Sequence, residues 1–357
     1  MAANSIDRLR RQIDRIDDEM LRLLARRAAA AQAIGRAKAV DGKAIYVPAR
    51  EKKILDRLNR KRGRLPAPVV RAVFREVISA CRSLERGIRV AYLGPEATYS
   101  HMAAREQFGA QTNLIPAVSI PHVFEEVERE QAEFGVVPIE NSTDGTVTHT
   151  LDRFLESGLR IAAEICLDVN HYLLSKRGDP RRVKRIFSHP QGLAQCRRWV
   201  ATNHPKALLY EMASTAQAAR EAARHDDAAA IASALAGEVY GLEVLAENIQ
   251  DLSFNATRFV VIATDDNLEP SGDDKTSVVF SVRDEVGILH HMLQPFSSND
   301  INLTRIESRP LKGKPWEYVF FLDFLGHRAE PKVARALAEL NPLCQMLKVL
   351  GSYPVWR

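Results

Sequence analysis

The sequence has few cysteines, no long apolar run and little excess of either charge, and each shortage excludes a class of protein. Its four cysteines are far apart and form neither a CxxC pair nor a metal-ligand spacing, so we expect free thiols and no bound metal. No run of about 18 uncharged apolar residues occurs, which excludes a spanning helix. The opening stretch, MAANSIDRLRRQIDRIDDEM, lacks the apolar core of a secretory signal. We therefore expect a cytoplasmic protein without a membrane partner.

The charge balance is weakly basic. Fifty Lys and Arg stand against 45 Asp and Glu, which gives a net charge of +5, and the pI is about 9.0. Such a pI is also found in nucleic-acid-binding proteins. Here, however, the basic excess lies near the N-terminus, where arginines alternate with apolar residues, and that arrangement suits small anions equally well. We predict no nucleic-acid partner.

Residues 6–85 have a helical pattern, and we predict three helices over 5–39, 48–61 and 66–86. Apolar residues in the first helix recur at alternate spacings of three and four, which makes a heptad seam about five heptads long. Two short partner helices cannot cover a stripe of that length. We therefore predict that the seam pairs with a second copy of the chain, giving a homodimer or a higher homo-oligomer.

One seam position carries Arg27, where the pattern asks for a leucine or an isoleucine. A guanidinium cannot lose its charge to escape burial. Arg27 is therefore either a polar residue that sets the helix register, with its charge reaching solvent, or a clamp for an anion. Other charged residues border the same groove, which favours a small dianion as its occupant; they are Arg10, Lys38, Arg50 and Glu51.

Residues 88–265 alternate between strand and helix patterns, and several apolar strands run directly into small polar loops. Such loops bind ligands in open α/β sheets, so we predict two lobes around a cleft. The stretch NATRF (255–259) matches a glycosylation site, but without a secretory signal we interpret it as the start of a buried strand. Beyond a polar linker at 266–274, the chain has the β-α-β-β-α-β order of a ferredoxin-like domain.

Taken in order, the motifs resemble the bifunctional chorismate mutase/prephenate dehydratases that carry a C-terminal ACT regulatory domain. The helical part contributes Arg10, Arg27, GRAK (35–38) and Arg50-Glu51. The middle part contributes GPEATYS (94–100), ENSTDGTVTHTLD (140–152), SHPQGLAQC (188–196) and NATRF. The last part contributes VGILH (286–290), ESRP (307–310) and VLGSYP (349–354).

The resemblance implies a three-domain protein. An all-α, dimer-forming mutase domain would span 1–87, a two-lobed dehydratase domain like the periplasmic binding proteins 88–265, and an α+β ACT domain of ferredoxin-like fold 275–357. The first domain would convert chorismate to prephenate and the second prephenate to phenylpyruvate, without a cofactor. Phenylalanine would inhibit the second step.

For the mutase, the resemblance implies a set of catalytic and substrate-binding residues. Arg10, reaching in from a partner chain, and Arg27 would clamp the carboxylates of the substrate. Lys38 would face the ether oxygen, and Glu51 would accept a hydrogen bond from the ring hydroxyl. The set also includes Arg50 and three positions that depart from the best-known pattern, namely Val47, Cys81 and Glu85. Val47 stands where an aspartate is often found, and Cys81 and Glu85 stand where a serine and a glutamine lie four residues apart. A carboxylic acid at Glu85 can donate to the ether oxygen only when it is protonated.

For the dehydratase, the resemblance implies that Thr257 is the catalytic donor, or a relay, to the departing hydroxyl. Arg258 would be the nearby cation, although strict strand alternation would point it away from the cleft. The remaining candidates for the cleft are Thr98, Ser100, Asn141, Ser142, Thr146, Ser214, Thr215 and Phe259; each of the polar ones also suits a turn or a helix cap. His189 is interpreted as structural, because this reaction needs no base with a pKa near 7.

The ACT resemblance implies a phenylalanine site formed by Val286, Gly287, Ile288, Leu289, Glu307, Ser308 and Arg309. Two other functions stay open at this point. The protein is either the bifunctional enzyme, a dehydratase with a non-catalytic helical domain, or a two-lobed ligand sensor. Arg27 within an apolar seam favours the first.

Overall fold

The computed structural model describes residues 2–41, 46–85, 87–252, 254–283, 285–310 and 318–356. They fall into two compact units. The first unit contains α1 (Ala2–Asp41), most of α2 (Pro48–Arg60) and α3 (Ala67–Glu85), which are the three predicted helices. Pro48 begins α2, where its fixed φ suits a first helical position and its missing N–H removes no hydrogen bond.

In the first unit, α1 lies against α3 but keeps its own apolar seam uncovered. The seam side chains are each between 49% and 57% exposed within one chain; they are Ile6, Leu9, Ile13, Ile16, Met20, Leu23 and Ile34. Half-exposed aliphatic side chains in a continuous stripe are unusual on a monomer surface. The seam therefore has the exposure that the pairing prediction requires.

The second unit begins with a six-stranded sheet in the order β2-β1-β3-β11-β5, with β4 paired to β3. Strands β1 and β3 are parallel, whereas β11 is antiparallel to both of its neighbours. The strands are β1 (Arg89–Leu93), β2 (Asn113–Ala117), β3 (Phe134–Asn141), β4 (Gly145–Thr146), β5 (Arg160–Asp168) and β11 (Ala256–Ala263). Its helices are α4 (Tyr99–Phe108), α5 (Ile120–Glu128) and α6 (Thr148–Glu156).

The chain leaves this sheet after β5, builds a second sheet and returns through β11. The second sheet has the order β10-β6-β9-β7-β8. Its strands are β6 (Tyr172–Ser175), β7 (Arg185–Ser188), β8 (Leu208–Glu211), β9 (Ala228–Ala232) and β10 (Glu243–Ala246). Its helices are α7 (Pro190–Gln195), α8 (Arg197–Asn203), α9 (Thr215–Ala222) and α10 (Ala234–Tyr240), with a 3-10 turn at Pro180–Arg182. Two sheets joined by two crossings are the predicted two lobes.

The central strand β9 has the sequence AAAIA and is buried throughout. The helix that packs on it, α9, also presents buried alanines, including Ala216 and Ala219. Small side chains on both surfaces let the helix lie close to the sheet. This close packing brings the N-terminus of α9 to the edge of the cleft.

The third sheet has the order β13-β14-β12-β15 and is antiparallel throughout. The strands are β12 (Asp274–Ser281), β13 (Leu303–Pro310), β14 (Tyr318–Leu325) and β15 (Met346–Pro354), and the helices are α11 (Ile288–Ser298) and α12 (Pro331–Leu340), followed by a 3-10 turn at Asn341–Leu343. The element order confirms the ferredoxin-like prediction.

The two faces of the third sheet have different neighbours. Val278 and Phe280 belong to an apolar core with α11 and α12, whereas Val279 belongs to a core that includes Val260 and Ile161 of the first sheet. This alternation follows from the two-residue period of β12. The third sheet and the first sheet therefore share one core.

We predict that Gly351→Ala destabilises this shared core. A β-carbon at Gly351 would lie 2.2 Å from the main-chain oxygen of Ile161, which cannot move aside without shifting β5. We expect a loss of about 2 kcal/mol or more, seen as a fall of about 5 °C in the thermal midpoint by circular dichroism. Gly158→Ala is the matched control, because a β-carbon there would meet nothing within 4 Å. Equal midpoints for the two variants would contradict the close approach.

Candidate functional site

A cavity of about 350 Å³ lies between the two lobes. Its walls come from the first sheet, from the second sheet and from the crossing segments between them. The lining residues are Leu93, Gly94, Thr98, Tyr99, Ser100, Val118, Pro138, Asn141, Val169, His171, His189, Gln191, Gly192, Gln195, Ala213, Ser214, Thr215, Asn255, Thr257 and Phe259. Thr257 and Phe259 are two residues apart on β11 and therefore share the face that lines the cavity.

Main-chain groups fix the orientation of the Asn141 amide. Its Oδ1 accepts from the N–H of Thr143 at 2.9 Å and of Asp144 at 3.0 Å. Its Nδ2 must then be the donor to Thr257 Oγ1 at 2.8 Å and to Asn255 Oδ1 at 2.9 Å. Because Thr257 Oγ1 accepts from Asn141, the threonine proton is directed away from Asn141. The cleft that Thr257 lines is where this proton can be donated.

The donor and acceptor roles of the next side chains follow from the orientation of Asn141. Asn255 Nδ2 donates to Gln195 Oε1 at 3.0 Å, so this oxygen is an acceptor. His171 Nε2 lies 2.8 Å from the same oxygen and therefore carries the proton. Burial lowers the pKa of His171, and the hydrogen bond to Gln195 opposes this effect only in part. Because the net shift of the pKa is downward, the buried ring is neutral near pH 7. The Tyr99 hydroxyl lies 3.3 Å from His171 Nδ1.

Among the described residues that line the cleft, none is a lysine, arginine, aspartate or glutamate. Positive potential instead comes from helix N-termini: α4 begins at Tyr99 and α9 begins at Thr215, both of which line the cavity. Ser214 caps α9 by accepting from the N–H of Gln217 at 3.0 Å. Unpaired N–H groups at such termini bind carboxylates.

Seven of the ten dehydratase candidates line the cavity: Thr98, Ser100, Asn141, Ser214, Thr215, Thr257 and Phe259. Thr98 also holds its own turn, because its hydroxyl contacts the main-chain oxygens of Leu93 and Pro95 at 3.0 Å. His189 caps α7, with Nδ1 accepting from the N–H of Gln191.

Three dehydratase candidates do not line the cavity. The Ser142 hydroxyl accepts from the N–H of Ala256 at 2.9 Å and so joins β11 to the loop after β3. Thr146 Oγ1 accepts from Arg305 of the third sheet at 3.1 Å, because β4 pairs with β3 and turns Thr146 toward that sheet. Both interpretations as cleft residues are corrected.

Arg258 is the third correction, and its cause is strand alternation. It follows Thr257 on β11 and so points to the opposite face of the sheet. There its guanidinium contacts Glu164 at 2.9 Å, Asp323 at 2.6 Å and the Tyr353 hydroxyl at 2.9 Å. Arg258 therefore faces the third sheet and supplies no charge to the cleft.

Five polar residues of the cleft were not predicted: Tyr99, His171, Gln191, Gln195 and Asn255. Four of them stand inside quoted motifs, within GPEATYS, SHPQGLAQC and NATRF. For Gln191, Gln195 and Asn255, the sequence signal was an amide side chain within a motif at the start of a helix or a strand. His171 had no such signal, because its role appears only through Gln195.

In the first unit, Arg27, Lys38 and Glu85 act on one another. Burial raises the pKa of Glu85, while the charges of Lys38, Arg27 and Arg82 lower it, and the net direction is upward. Arg27 Nη1 also donates to the main-chain oxygen of Val77 at 3.3 Å, which ties α1 to α3. A β-carbon at Gly35 would lie 3.1 Å from Glu85 Cβ, so α1 passes close to Glu85.

The other mutase candidates occupy varied positions. Cys81 is buried on α3, one turn before Glu85. Val47 is the N-cap residue of α2 and makes no side-chain cap, while Arg50 and Glu51 lie in the first turn of that helix. Arg10 is exposed and pairs with Asp7 at 3.6 Å. About 25 Å of helix separate Arg10 from Arg27, so one chain cannot bring both to the same small molecule.

The predicted phenylalanine-site residues lie at two places in the third sheet's domain. Val286 is fully exposed, Gly287 has a φ of +81° as the residue before α11, and Ile288 and Leu289 open that helix. Glu307, Ser308 and Arg309 lie on the edge strand β13. Arg309 also pairs with Asp152 of α6 at 2.8 Å.

Two kinds of feature are absent from the described residues. No helix there has the length and apolar content needed to cross a membrane. No group of three or more His, Cys, Asp or Glu side chains there is arranged to hold a metal ion.

Three family models match the chain in succession. They are "Chorismate mutase type II" over residues 9–86, "Prephenate dehydratase" over 90–267 and "ACT domain" over 276–341. Together they match each of the three parts described above.

Among known proteins, the bifunctional chorismate mutase/prephenate dehydratase of Aquifex aeolicus is 48% identical over 97% of this chain and 97% of its own. The solved prephenate dehydratase of Arthrobacter aurescens, in complex with L-Phe, is 37% identical with a TM-score of 0.69, and the match covers 75% of this chain and 90% of the other. A structure titled "GqqA- a novel type of quorum quenching acylases" has the same TM-score at 31% identity, covering 75% and 98%.

Proposed function

The chain belongs to the family of bifunctional chorismate mutase/prephenate dehydratases, and from that premise we propose which of its residues perform the two reactions. The helices of the first unit rearrange chorismate to prephenate. The cleft between the two lobes converts prephenate to phenylpyruvate. Phenylalanine acts on the third sheet's domain and restrains the second reaction.

The dehydratase step removes a hydroxide and carbon dioxide from prephenate, and aromatisation of the ring drives it. The enzyme therefore needs a hydrogen-bond donor at the departing hydroxyl more than it needs a strong base. The observation that carries the proposal is the Asn141 hydrogen bond to Thr257 Oγ1, which turns the threonine proton toward the cleft. The Thr257 hydroxyl donates a hydrogen bond to the departing hydroxyl, or relays to it a proton taken up from solvent, so that the hydroxyl leaves as water and Thr257 stays neutral.

The carboxylates of prephenate need partners, and the described lining contains no cationic side chain of lysine or arginine. The N-termini of α4 and α9 supply N–H donors and partial positive charge at the cleft wall. We assign the substrate carboxylates to these two helix ends. Acyl transfer at the Thr257 hydroxyl would need a neighbouring base to activate it as a nucleophile. Its hydrogen-bond partner is the Asn141 amide, which is not a base, so this arrangement does not support acyl transfer.

The mutase step is an intramolecular rearrangement, so its catalyst must hold a dianion in a compact shape and stabilise charge on the breaking ether oxygen. Lys38 and Arg27 are two of the three cations whose charges act on Glu85 within the first unit, and Arg82 is the third. We assign the carboxylates to Arg27 and to Arg10 of a second copy, and the ether oxygen to Lys38 and protonated Glu85. Arg50, Glu51, Val47 and Cys81 complete the proposed pocket.

Two observations support the proposal of a dimer through α1. The seam of α1 is half exposed along its length, and Arg10 lies too far from Arg27 to serve the same pocket within one chain. Pairing two seams covers the apolar stripe and delivers Arg10 from the partner. The free cysteines, of which Cys81 and Cys196 are buried, support a reducing compartment, which we propose is the cytoplasm.

Phenylalanine is proposed to bind where Val286 to Leu289 and Glu307 to Arg309 lie. The large exposed apolar surface of Val286 and Leu289 supports a site for an apolar side chain. The similarity to a dehydratase solved with L-Phe supports the choice of ligand.

Thr257→Ala tests the dehydratase assignment. We expect kcat for phenylpyruvate formation to fall by about 10²-fold or more, because the donor to the departing hydroxyl is lost. Chorismate consumption should stay within twofold of wild type, and Thr257→Ser should recover part of the lost rate. The measurement feeds chorismate to purified protein and follows prephenate and phenylpyruvate separately.

Arg27→Ala is the reciprocal control in the same assay. It should lower chorismate consumption by about 10²-fold, while added prephenate is still converted at the wild-type rate. If either variant lowers both activities equally while remaining folded, the assignment of the two reactions to two sites is wrong.

The pH dependence of the mutase tests Glu85. Protonated Glu85 is the useful form, and burial raises its pKa, so this form persists to higher pH than for an exposed glutamate. The mutase kcat/KM should therefore fall as pH rises through the raised pKa, and Glu85→Gln, a neutral donor, should flatten that fall. Profiles from about pH 5 to 9 check this. A wild-type profile without the descending limb would exclude Glu85 as the donor.

Ile13→Asp tests the dimer. A carboxylate in the middle of the seam should prevent two α1 helices from pairing, and analytical ultracentrifugation should show a smaller species. Mutase activity should fall with the dimer, because Arg10 then cannot reach its pocket. Asp18→Ala changes an exposed α1 residue outside the seam and should leave both properties unchanged. A fully active Ile13→Asp monomer would refute the shared site.

A further inference from the structure

A cluster of charged side chains lies on the face of the first sheet that is opposite to the cleft. At its centre, the Arg258 side chain is 11% exposed, while Glu164 and Asp323 are 2% and 3% exposed. Lys275 contacts Glu164 at 2.7 Å, and Arg305 lies 3.5 Å from Glu140. We refer to these six residues, namely Glu140, Glu164, Arg258, Lys275, Arg305 and Asp323, as the Arg258 cluster.

The cluster is balanced and well hydrogen-bonded. It pairs three cations with three carboxylates. Ser277 and Tyr353 supply further contacts: the Ser277 hydroxyl donates to Asp323 at 2.5 Å, and the Tyr353 hydroxyl lies 2.9 Å from Arg258. Burial alone would raise the pKa of Asp323, but the charges of Arg258 and Arg305 lower it, so Asp323 stays ionised. Removing one member leaves its partner charged and buried, which is strongly unfavourable.

The cluster joins two sheets. Glu140, Glu164 and Arg258 belong to β3, β5 and β11 of the first sheet, whereas the other three members belong to β12, β13 and β14 of the third sheet. Asp323 is directly opposite Arg305 across β13 and β14. The Asp323 carboxylate therefore lies between the edge strand β13 and Arg258.

The register of β3 and β11 places this cluster directly behind the proposed catalytic pair. Thr257 is opposite Asn141, and Arg258 is opposite Glu140. On one face of the two strands Asn141 donates to Thr257, and on the other face Arg258 lies 3.7 Å from Glu140. The charged pair is therefore carried by the same two backbones that aim the amide at the hydroxyl.

We propose that Arg258 is a positioning residue, through which the third sheet holds Thr257 and Asn141 in their productive arrangement. Ligand binding on the third sheet's domain then acts on Thr257 through Arg305, Asp323 and Arg258. The inference rests on the proposed role of Thr257 as the donor. It differs from that proposal in needing no contact between Arg258 and the substrate.

Asp323→Asn is the first test, because it removes one charge with little change of shape and lies on the third sheet. Dehydratase kcat should fall tenfold or more, while KM for prephenate stays within twofold and the mutase rate is unchanged. The concentration of phenylalanine that halves the dehydratase rate should rise at least tenfold. Arg258→Lys keeps the charge but loses the fork of donors, and it should show a weaker form of the same changes. It also serves if the asparagine variant does not fold.

Lys348→Met is the matched control. Lys348 is another cation of the third sheet. Its Nζ donates to the main-chain oxygens of Phe154 and Ser157 at the end of α6, outside the Arg258 cluster. Its removal should lower the thermal midpoint but leave kcat and phenylalanine inhibition unchanged. The double variant Arg258→Lys with Asp323→Asn should be no slower than the slower single variant, since both disturb one unit.

The outcomes separate this inference from the proposed function. If both Asp323→Asn and Lys348→Met lower kcat, each in proportion to its fall in thermal midpoint, Arg258 has only a structural role and the inference fails. It also fails if Asp323→Asn keeps wild-type kcat and wild-type inhibition while Thr257→Ala is inactive. If Thr257→Ala remains active, it is the proposed catalytic role of Thr257 that fails.

Discussion

The two-residue period of strand β11 is the constraint on which the rest of the second unit depends. Thr257 and Arg258 are consecutive, so one faces the cleft and the other faces the third sheet. A change of register by one residue would exchange them, burying a hydroxyl among carboxylates and placing an arginine in the substrate cavity. The ion pairs of Arg258 with Glu164 and Asp323 therefore also specify which way Thr257 points.

The two proposed active sites solve different electrostatic problems. The mutase must hold a dianion and stabilise charge as a bond breaks, and we propose that Lys38 and Arg27, whose charges act on Glu85, serve that purpose. The dehydratase reaction is driven by aromatisation, and we propose that its cleft uses oriented amides, a hydroxyl and helix ends. The charged side chains of the Arg258 cluster lie on the opposite face of the first sheet, where each carboxylate has a basic partner. Among the described lining residues no lysine, arginine, aspartate or glutamate competes for the helix ends, to which we assign the substrate carboxylates.

Much of this arrangement could be predicted from the sequence, and the errors have physical causes. The α1 seam, the cleft hydroxyls at helix starts and the β-α-β-β-α-β order follow from local periodicity and turn residues. Arg258 and Thr146 were misplaced because their partners, Asp323 and Arg305, are distant in sequence and a motif does not reveal which face they share. His171 escaped notice because it stands in no quoted motif and its donor role is set only through Asn141, Asn255 and Gln195.

We propose that Thr257 contacts the substrate and that Arg258 does not. A crystal structure of the Thr257→Ala variant with bound prephenate would test it most directly, because the substrate should survive in that variant. We expect the ring hydroxyl to lie beside the side chain at position 257, with Asn141 next to it, and the carboxylates to lie at the starts of α4 and α9. We expect Arg258 to remain paired with Glu164 and Asp323. An Arg258 side chain turned into the cleft and paired with a prephenate carboxylate would contradict it.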